Sequence, residues 1–153
     1  MKRVTSYLSN LHHPKLAASL LLLSLLSPCT HASFAQEIAI IGNADNNTQL
    51  TQAEAINIFM GRYRQFSNGT SAKPIDNEAL KQEFYLALVN KSSAEINAYW
   101  ARLIFSGRTQ PPEKIEDSNK VMDSVVKESQ AISYVPLSKV DNTVKVLFVL
   151  GRK

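Results

Sequence analysis

Three features of this chain predict an α/β domain with one central sheet and helices packed on it. Strand-type runs rich in Ile, Val and aromatics stand at 37–43, 131–136 and 144–150. Helical spans lie between the first and second of these runs, and two of them open with capping boxes. The elements read β-α-β-α-α-α-β-β with no repeat or low-complexity linker, and strands separated by helices favour a layered α/β arrangement.

The fold is expected to begin only after a leader. Lys2 and Arg3 precede the apolar run 16–26, and small residues follow in "THASFAQE". A basic start, a short apolar region and an Ala-x-Ala-like end describe a secretory signal peptide over 1–35. The apolar run is shorter than the roughly 20 residues that a membrane-spanning helix needs. Ser33 and Ala35 occupy the two small-residue positions, so cleavage is expected after Ala35, with Ala32 as the near alternative. Cys29 sits in a sequence partly like a lipoprotein box, but Pro28 directly before it departs from that pattern, so a lipid anchor is not expected. The expected mature domain is 36–153, exported to the periplasm, with no membrane span.

Within it, "EIAIIGN" at 37–43 is a continuous apolar run, suited to a strand covered on both faces as in a parallel sheet. Thr51-x-x-Glu54 is a capping box opening a helix with Ala55, Ile56, Phe59 and Met60 on one face, closed by Gly61. "AKPID" is a short edge-like extended segment. Asn77 or Asp76 is expected to cap the next helix, where Leu80, Phe84 and Leu88 recur every fourth residue. Ser92-x-x-Glu95 opens a third helix carrying Ile96, Tyr99, Trp100, Leu103 and Ile104. Gly107 and Pro111-Pro112 end it. Asp117 or Ser118 starts a fourth helix, and "AISYVP" and "VKVLFVL" supply the last two strands.

Composition excludes more than it proposes. Losing Lys2, Arg3 and Lys15 reduces 17 cationic side chains to 14, against 13 acidic ones, a net charge of +1. The basic character belongs mostly to the leader and gives no support for a nucleic-acid partner. The one cysteine and all three histidines (His12, His13, His31) are also in the leader. A mature domain without Cys or His has no disulfide, no Cys/His metal site, no Cys nucleophile and no Ser-His-Asp triad. No cofactor, metal ligand set or catalytic residue is expected, and the chain does not read as an enzyme.

Four segments carry a resemblance: "LTQAEAINIFMGRYRQFSNG", "KPIDNEALKQEFY", "INAYWARLIFSGR" and "VVKESQAISYV". Their Ile-Phe-x-Gly helix end, Tyr-Trp…Phe-x-Gly helix and Ala-Ile-x-Tyr-Val strand resemble the phosphate-type substrate-binding proteins of ABC transporters, in the type 2 periplasmic binding protein fold. That resemblance covers roughly residues 38–149. Members of full length have two α/β lobes with the anion in the cleft between them, and the mature length here fits one lobe. It implies a small oxyanion such as phosphate as ligand. It also implies an ABC transporter permease, a sensor or a second copy of the chain as partner. Larger phosphate binders carry an arginine and a Ser-Gly-Thr turn after the Pro-Ile strand, a guanidinium and helix N-terminal amides that suit an oxyanion. Here that segment is Asp76-Asn77-Glu78-Ala79-Leu80, with two carboxylates at the helix start.

The candidate ligand-binding residues are Asn43, Arg62, Arg64, Asp76, Arg102 and Tyr134. Open α/β sheets place ligands at the carboxyl ends of their strands, which selects Asn43, Asp76 and the residues after Val135, with the Tyr134 hydroxyl facing that end. Arg62 and Arg64 beside Gly61 suit an anion or an acidic partner, or else complement the helix dipole in solvent. Arg102 either supplies the missing anion contact or pairs with a nearby carboxylate. Asn68-Gly69-Thr70 is a turn or a small anion nest. Trp100, Tyr99 and Phe105 are core residues or a stacking platform. Two function classes result: an exported solute-binding lobe for phosphate or another small oxyanion, and a non-catalytic periplasmic protein-interaction module that has lost its ligand.

Overall fold

The computed structural model describes residues 36–151, so the leader expected over 1–35 lies outside the described residues. The elements run β1 (Ile38–Asn43), α1 (Gln52–Phe59), β2 (Lys73–Asn77), α2 (Lys81–Val89) and α3 (Ser93–Phe105). β3 (Glu113–Ile115), α4 (Ser118–Lys127), β4 (Ala131–Pro136) and β5 (Val144–Leu150) follow. The strands form one sheet in the order β3-β2-β4-β1-β5. β2 is parallel to β3 and β4, whereas β1 is antiparallel to both β4 and β5.

The direction of β1 corrects the parallel-sheet expectation. The strand is buried on both faces as its apolar run requires. Ile38 and Ile40 pack with Phe59, Phe84, Leu88 and Trp100 from α1, α2 and α3. Ala39 and Ile41 face the other way, onto Val121 and Val125 of α4. Three helices on one face and one on the other bury a strand whichever way it points, so the residue pattern is the same for both directions.

Helix starts follow local chemistry where polar side chains are free to cap. Thr51 and Ser92 form complete capping boxes with Glu54 and Glu95. Asp117 accepts from the amides of Asn119 and Lys120 at the start of α4. The cap expected from Asn77 or Asp76 does not form. β2 continues through Asn77, a 3-10 turn occupies Glu78–Leu80, and α2 starts at Lys81 with no side-chain cap on either. Both side chains are buried and bond sideways instead. β3 is a strand that the residue pattern does not predict, with only three residues after Pro111-Pro112. It is defined by pairing with Ile75, Asp76 and Asn77 and by no apolar pattern of its own.

Gly61 and Gly107 follow α1 and α3 with φ of +68° each, a conformation that favours glycine. Gly61 has a second reason to lack a side chain. A Cβ there would lie 2.6 Å from Trp100 Cη2. The end of α1 therefore sits flush against α3, and the Tyr99 hydroxyl donates to the Met60 carbonyl at 2.8 Å across the same contact.

Candidate functional site

The carboxyl ends of β2 and β4 form one polar cluster beneath an aromatic layer. Asp76 and Asn77 end β2, and Tyr134 lies beside them on β4. Asp76 Oδ1 accepts from the Tyr85 hydroxyl at 2.9 Å and from the Tyr134 hydroxyl at 3.3 Å. Asn77 Nδ2 donates to Ser118 Oγ at 2.9 Å and to the Tyr134 carbonyl at 3.1 Å, while its Oδ1 is buried without a partner among the described residues. Phe84 stacks on Tyr134 with ring centroids 3.6 Å apart and planes 4° from parallel, and Phe59 meets both rings edge-on.

The electrostatics follow from this enclosure. Asp76 is 1% exposed, and burial raises its carboxyl to about 6; the Tyr85 hydroxyl, Lys81 and the Tyr134 hydroxyl partly offset that rise. Burial pushes both tyrosine hydroxyls well above their ordinary range, with the Asp76 charge adding to it. Both remain protonated donors near neutral pH. The nearby cation, Lys81, is buried and bonded to Glu78 Oε1 at 3.0 Å and Asn97 Oδ1 at 3.2 Å. The cluster holds one carboxylate between phenol donors and presents it with almost no access to solvent. Chemically it is an acceptor-centred network, opposite in sign to an oxyanion receptor.

The predicted site residues do not converge. Asp76 and Tyr134 are in contact. Asn43 is at the far end of the sheet, because β1 is antiparallel and its last residue lies past the Gly42–Ile132 pair, level with the start of β4. There its Nδ2 donates to the carbonyls of Val125 and Val126, at 3.1 and 2.9 Å, and so closes the end of α4. Arg62, Arg64 and Arg102 are exposed elsewhere, on the loop after α1 and on the outer side of α3. Arg62 donates to Asn57 Oδ1 at 3.2 Å and Arg64 to the Gln110 carbonyl at 2.6 Å. Among the described residues Arg102 forms no ion pair. Asn68 makes a turn, with its Oδ1 accepting from the Thr70 amide. Trp100 belongs to the core, whereas Phe105 is 97% exposed.

Tyr85, Asn77, Lys81 and Ser118 join the cluster without a motif that marks them as site residues. Tyr85 has a usable signal. It follows Phe84 in a buried apolar repeat, and a buried tyrosine hydroxyl requires a partner. A separate open hollow of about 350 Å³ at the other end of the sheet is lined by Asp45, Asn46, Asn68, Thr70, Ser129 and Gln130 among others. Its lining carries amides, hydroxyls and one carboxylate, and no cation.

No family model matches the chain, and no curated protein does. Solved structures do share the fold. A phosphate ABC transporter substrate-binding protein from Clostridium perfringens, solved with bound phosphate, aligns over 74% of this chain and 45% of its own, at 17% identity and a TM-score of 0.58. An ABC-type phosphate transport receptor from Vibrio cholerae aligns over 74% and 46%, at 16% identity and 0.57. A protein described as a possible phosphate-binding protein from Planctomyces limnophilus aligns over 74% and 42%, at 11% identity and 0.51. The chain spans less than half the length of each of these proteins. What it shares with them is architecture: its mixed five-stranded sheet, with helices on both faces, has the fold of a single lobe of a phosphate-binding protein.

Proposed function

We propose that this chain is an exported, non-catalytic recognition lobe that keeps the phosphate-binding-protein fold and recognises a protein partner in place of an enclosed phosphate. One observation carries this reading: the buried Asp76 carboxylate. It occupies the strand end where the resemblance would place an arginine and a Ser-Gly-Thr turn, and it is held by Tyr85 and Tyr134. A carboxylate at that position repels phosphate, and the adjacent cation is already bonded to Glu78. The absence of Cys and His from 36–153 supports a non-enzymatic role. No helix among the described residues is long and apolar enough to cross a membrane.

The test is calorimetric titration of the purified protein with phosphate, sulfate and methylphosphonate. The expected result is no saturable heat at micromolar concentration. Saturable micromolar binding of any of the three would overturn the reading.

A second reading, capture of a small oxyanion by surface arginines, is favoured by one observation: Arg62, Arg64 and Arg102 are exposed and free of ion pairs among the described residues. It requires phosphate binding that disappears in Arg62→Ala or Arg102→Ala. A permease, a sensor or a second copy of the chain closing the open wall would be its partner. Light scattering across a concentration series detects the last of these.

A further inference from the structure

All four arginines of the described residues, Arg62, Arg64, Arg102 and Arg108, lie on two segments that pack together, 60–64 and 99–110. The packing is close. Gly61 abuts Trp100 and Thr109, Tyr99 bonds the Met60 carbonyl, and Arg64 bonds the Gln110 carbonyl. None of the eight lysines of the described residues is on either segment, and 55–75 and 96–112 contain no acidic residue. The four arginines make no ion pair among the described residues. The same corner exposes apolar bulk. Phe105 is 97% exposed, Tyr63 63% and Ile104 48%. Arg102 and Phe105 are three apart on α3 and so share a face of the helix.

From this corner we infer a docking surface for an acidic segment of a partner protein, an inference that rests on the protein-recognition reading above. Exposed aromatics with arginine, and without lysine, are the composition of interface centres. A guanidinium fork pairs a carboxylate with two parallel hydrogen bonds, which a lysine cannot do. Phe105 and Tyr63 are the apolar anchors, and the arginines set the charge and register of the segment bound around them. The geometry is held before binding, because Gly61, Trp100 and Tyr99 fix the loop to the helix. Less conformational freedom is then lost on association.

Charge argues against the other occupants. Residues 1–35 contain no Asp or Glu, so the leader does not complement the corner. In a second copy the exposed carboxylates outside helix caps and lysine pairs, Glu37, Asp45, Glu83, Glu116, Asp123 and Asp141, are spread over six separate stretches of the chain and form no acidic segment. An anionic lipid surface attracts lysine and arginine alike and would not select arginine alone.

The test is selection of a displayed random 16-residue peptide library on the immobilised purified protein, with enriched peptides measured by fluorescence anisotropy. The expected peptides carry several Asp or Glu beside an aromatic or leucine. Their affinity falls at least about tenfold in Arg62→Ala/Arg102→Ala and in Phe105→Ala, and weakens as salt rises. Both variants alter exposed side chains, and unchanged thermal unfolding confirms that they fold. The inference is overturned if no peptide is enriched, if enriched peptides lack an acidic excess, or if they bind both variants like the wild type. It is also overturned if vesicles of phosphatidylglycerol and phosphatidylethanolamine bind through the same residues more tightly than the peptides. Concentration-dependent self-association lost in those variants overturns it too. Failure of the peptides with silent phosphate calorimetry removes only this surface. Micromolar phosphate binding removes the underlying reading.

Discussion

Replacing Gly61 with alanine tests how the arginine loop is fixed to α3. Two costs arise. An alanine at φ +68° is in the left-handed region, a strain of about 1–2 kcal/mol, partly offset by about 0.4–1 kcal/mol because alanine also restricts the unfolded chain. The new Cβ would also stand 2.6 Å from Trp100 Cη2 and 3.1 Å from Cζ3. Ordinary contact begins near 3.4 Å, so the indole must retreat by about 0.8 Å inside a packed core. Overpacking of that kind costs about 1–3 kcal/mol. Gly107 is the internal control. It has the same φ of +68°, and a Cβ there would meet nothing within 4 Å. Gly107→Ala should therefore lose about 1 kcal/mol or less, and Gly61→Ala about 2–4 kcal/mol. Urea unfolding followed by the fluorescence of the sole tryptophan, Trp100, measures both and reports on the indole that must move. The combination Gly61→Ala/Trp100→Phe, followed like Trp100→Phe by circular dichroism because neither has a tryptophan, should recover part of the loss relative to the two single changes. Equal losses at Gly61 and Gly107, or strict additivity with Trp100→Phe, would refute the argument.

Further expectations concern the buried cluster and the helix ends. Asp76 has a folded-state value of about 6 against an ordinary 3.8, so its contribution to stability is fully present below about pH 3.8 and is lost as pH rises through about 6. From pH 7.5 to 5 this adds about 1 kcal/mol, and in Asp76→Asn that gain should vanish from unfolding curves. Parallel pH profiles for variant and wild type between 5 and 7.5 would refute the assignment. Tyr85→Phe removes the shorter of the two hydroxyl donors to Asp76. The carboxyl should then titrate still higher, visible by carbon NMR of the side chain. Asn43→Ala leaves the carbonyls of Val125 and Val126 without their side-chain donor, for a loss of about 1–2 kcal/mol in urea, with faster amide exchange at the end of α4. Thr51→Ala breaks the capping box of α1 and should cost about 1 kcal/mol by the same measurement.

Local chemistry was legible in the sequence wherever partners are close along the chain. Thr51-Glu54 and Ser92-Glu95 are three residues apart, and both capping boxes form. β4 and β5 match the expected runs from end to end. What was not legible depends on residues distant in sequence. The direction of β1 is set by its pairing with β4 and β5, about a hundred residues on. That direction sends Asn43 away from Asp76, so a rule about carboxyl ends of parallel strands gathered residues from opposite ends of the sheet. Asp76 looked like a helix cap because its neighbours are polar. Its partners, Tyr85 and Tyr134, lie 9 and 58 residues away and pull it under the helices. The arginines were visible as individual residues. Their common corner emerges only when Gly61 meets Trp100.

The most direct test of the central claim is linkage between phosphate and folding stability. A lobe that bound phosphate with a Kd of about 1 μM would gain about 4 kcal/mol at 1 mM phosphate, a rise of more than about 10 °C in Tm for a domain of this size. With Asp76 sealed between Tyr85 and Tyr134, thermal unfolding in 1 mM phosphate should coincide with that in chloride of equal ionic strength. A saturable rise in Tm with phosphate, absent with chloride, would contradict the account.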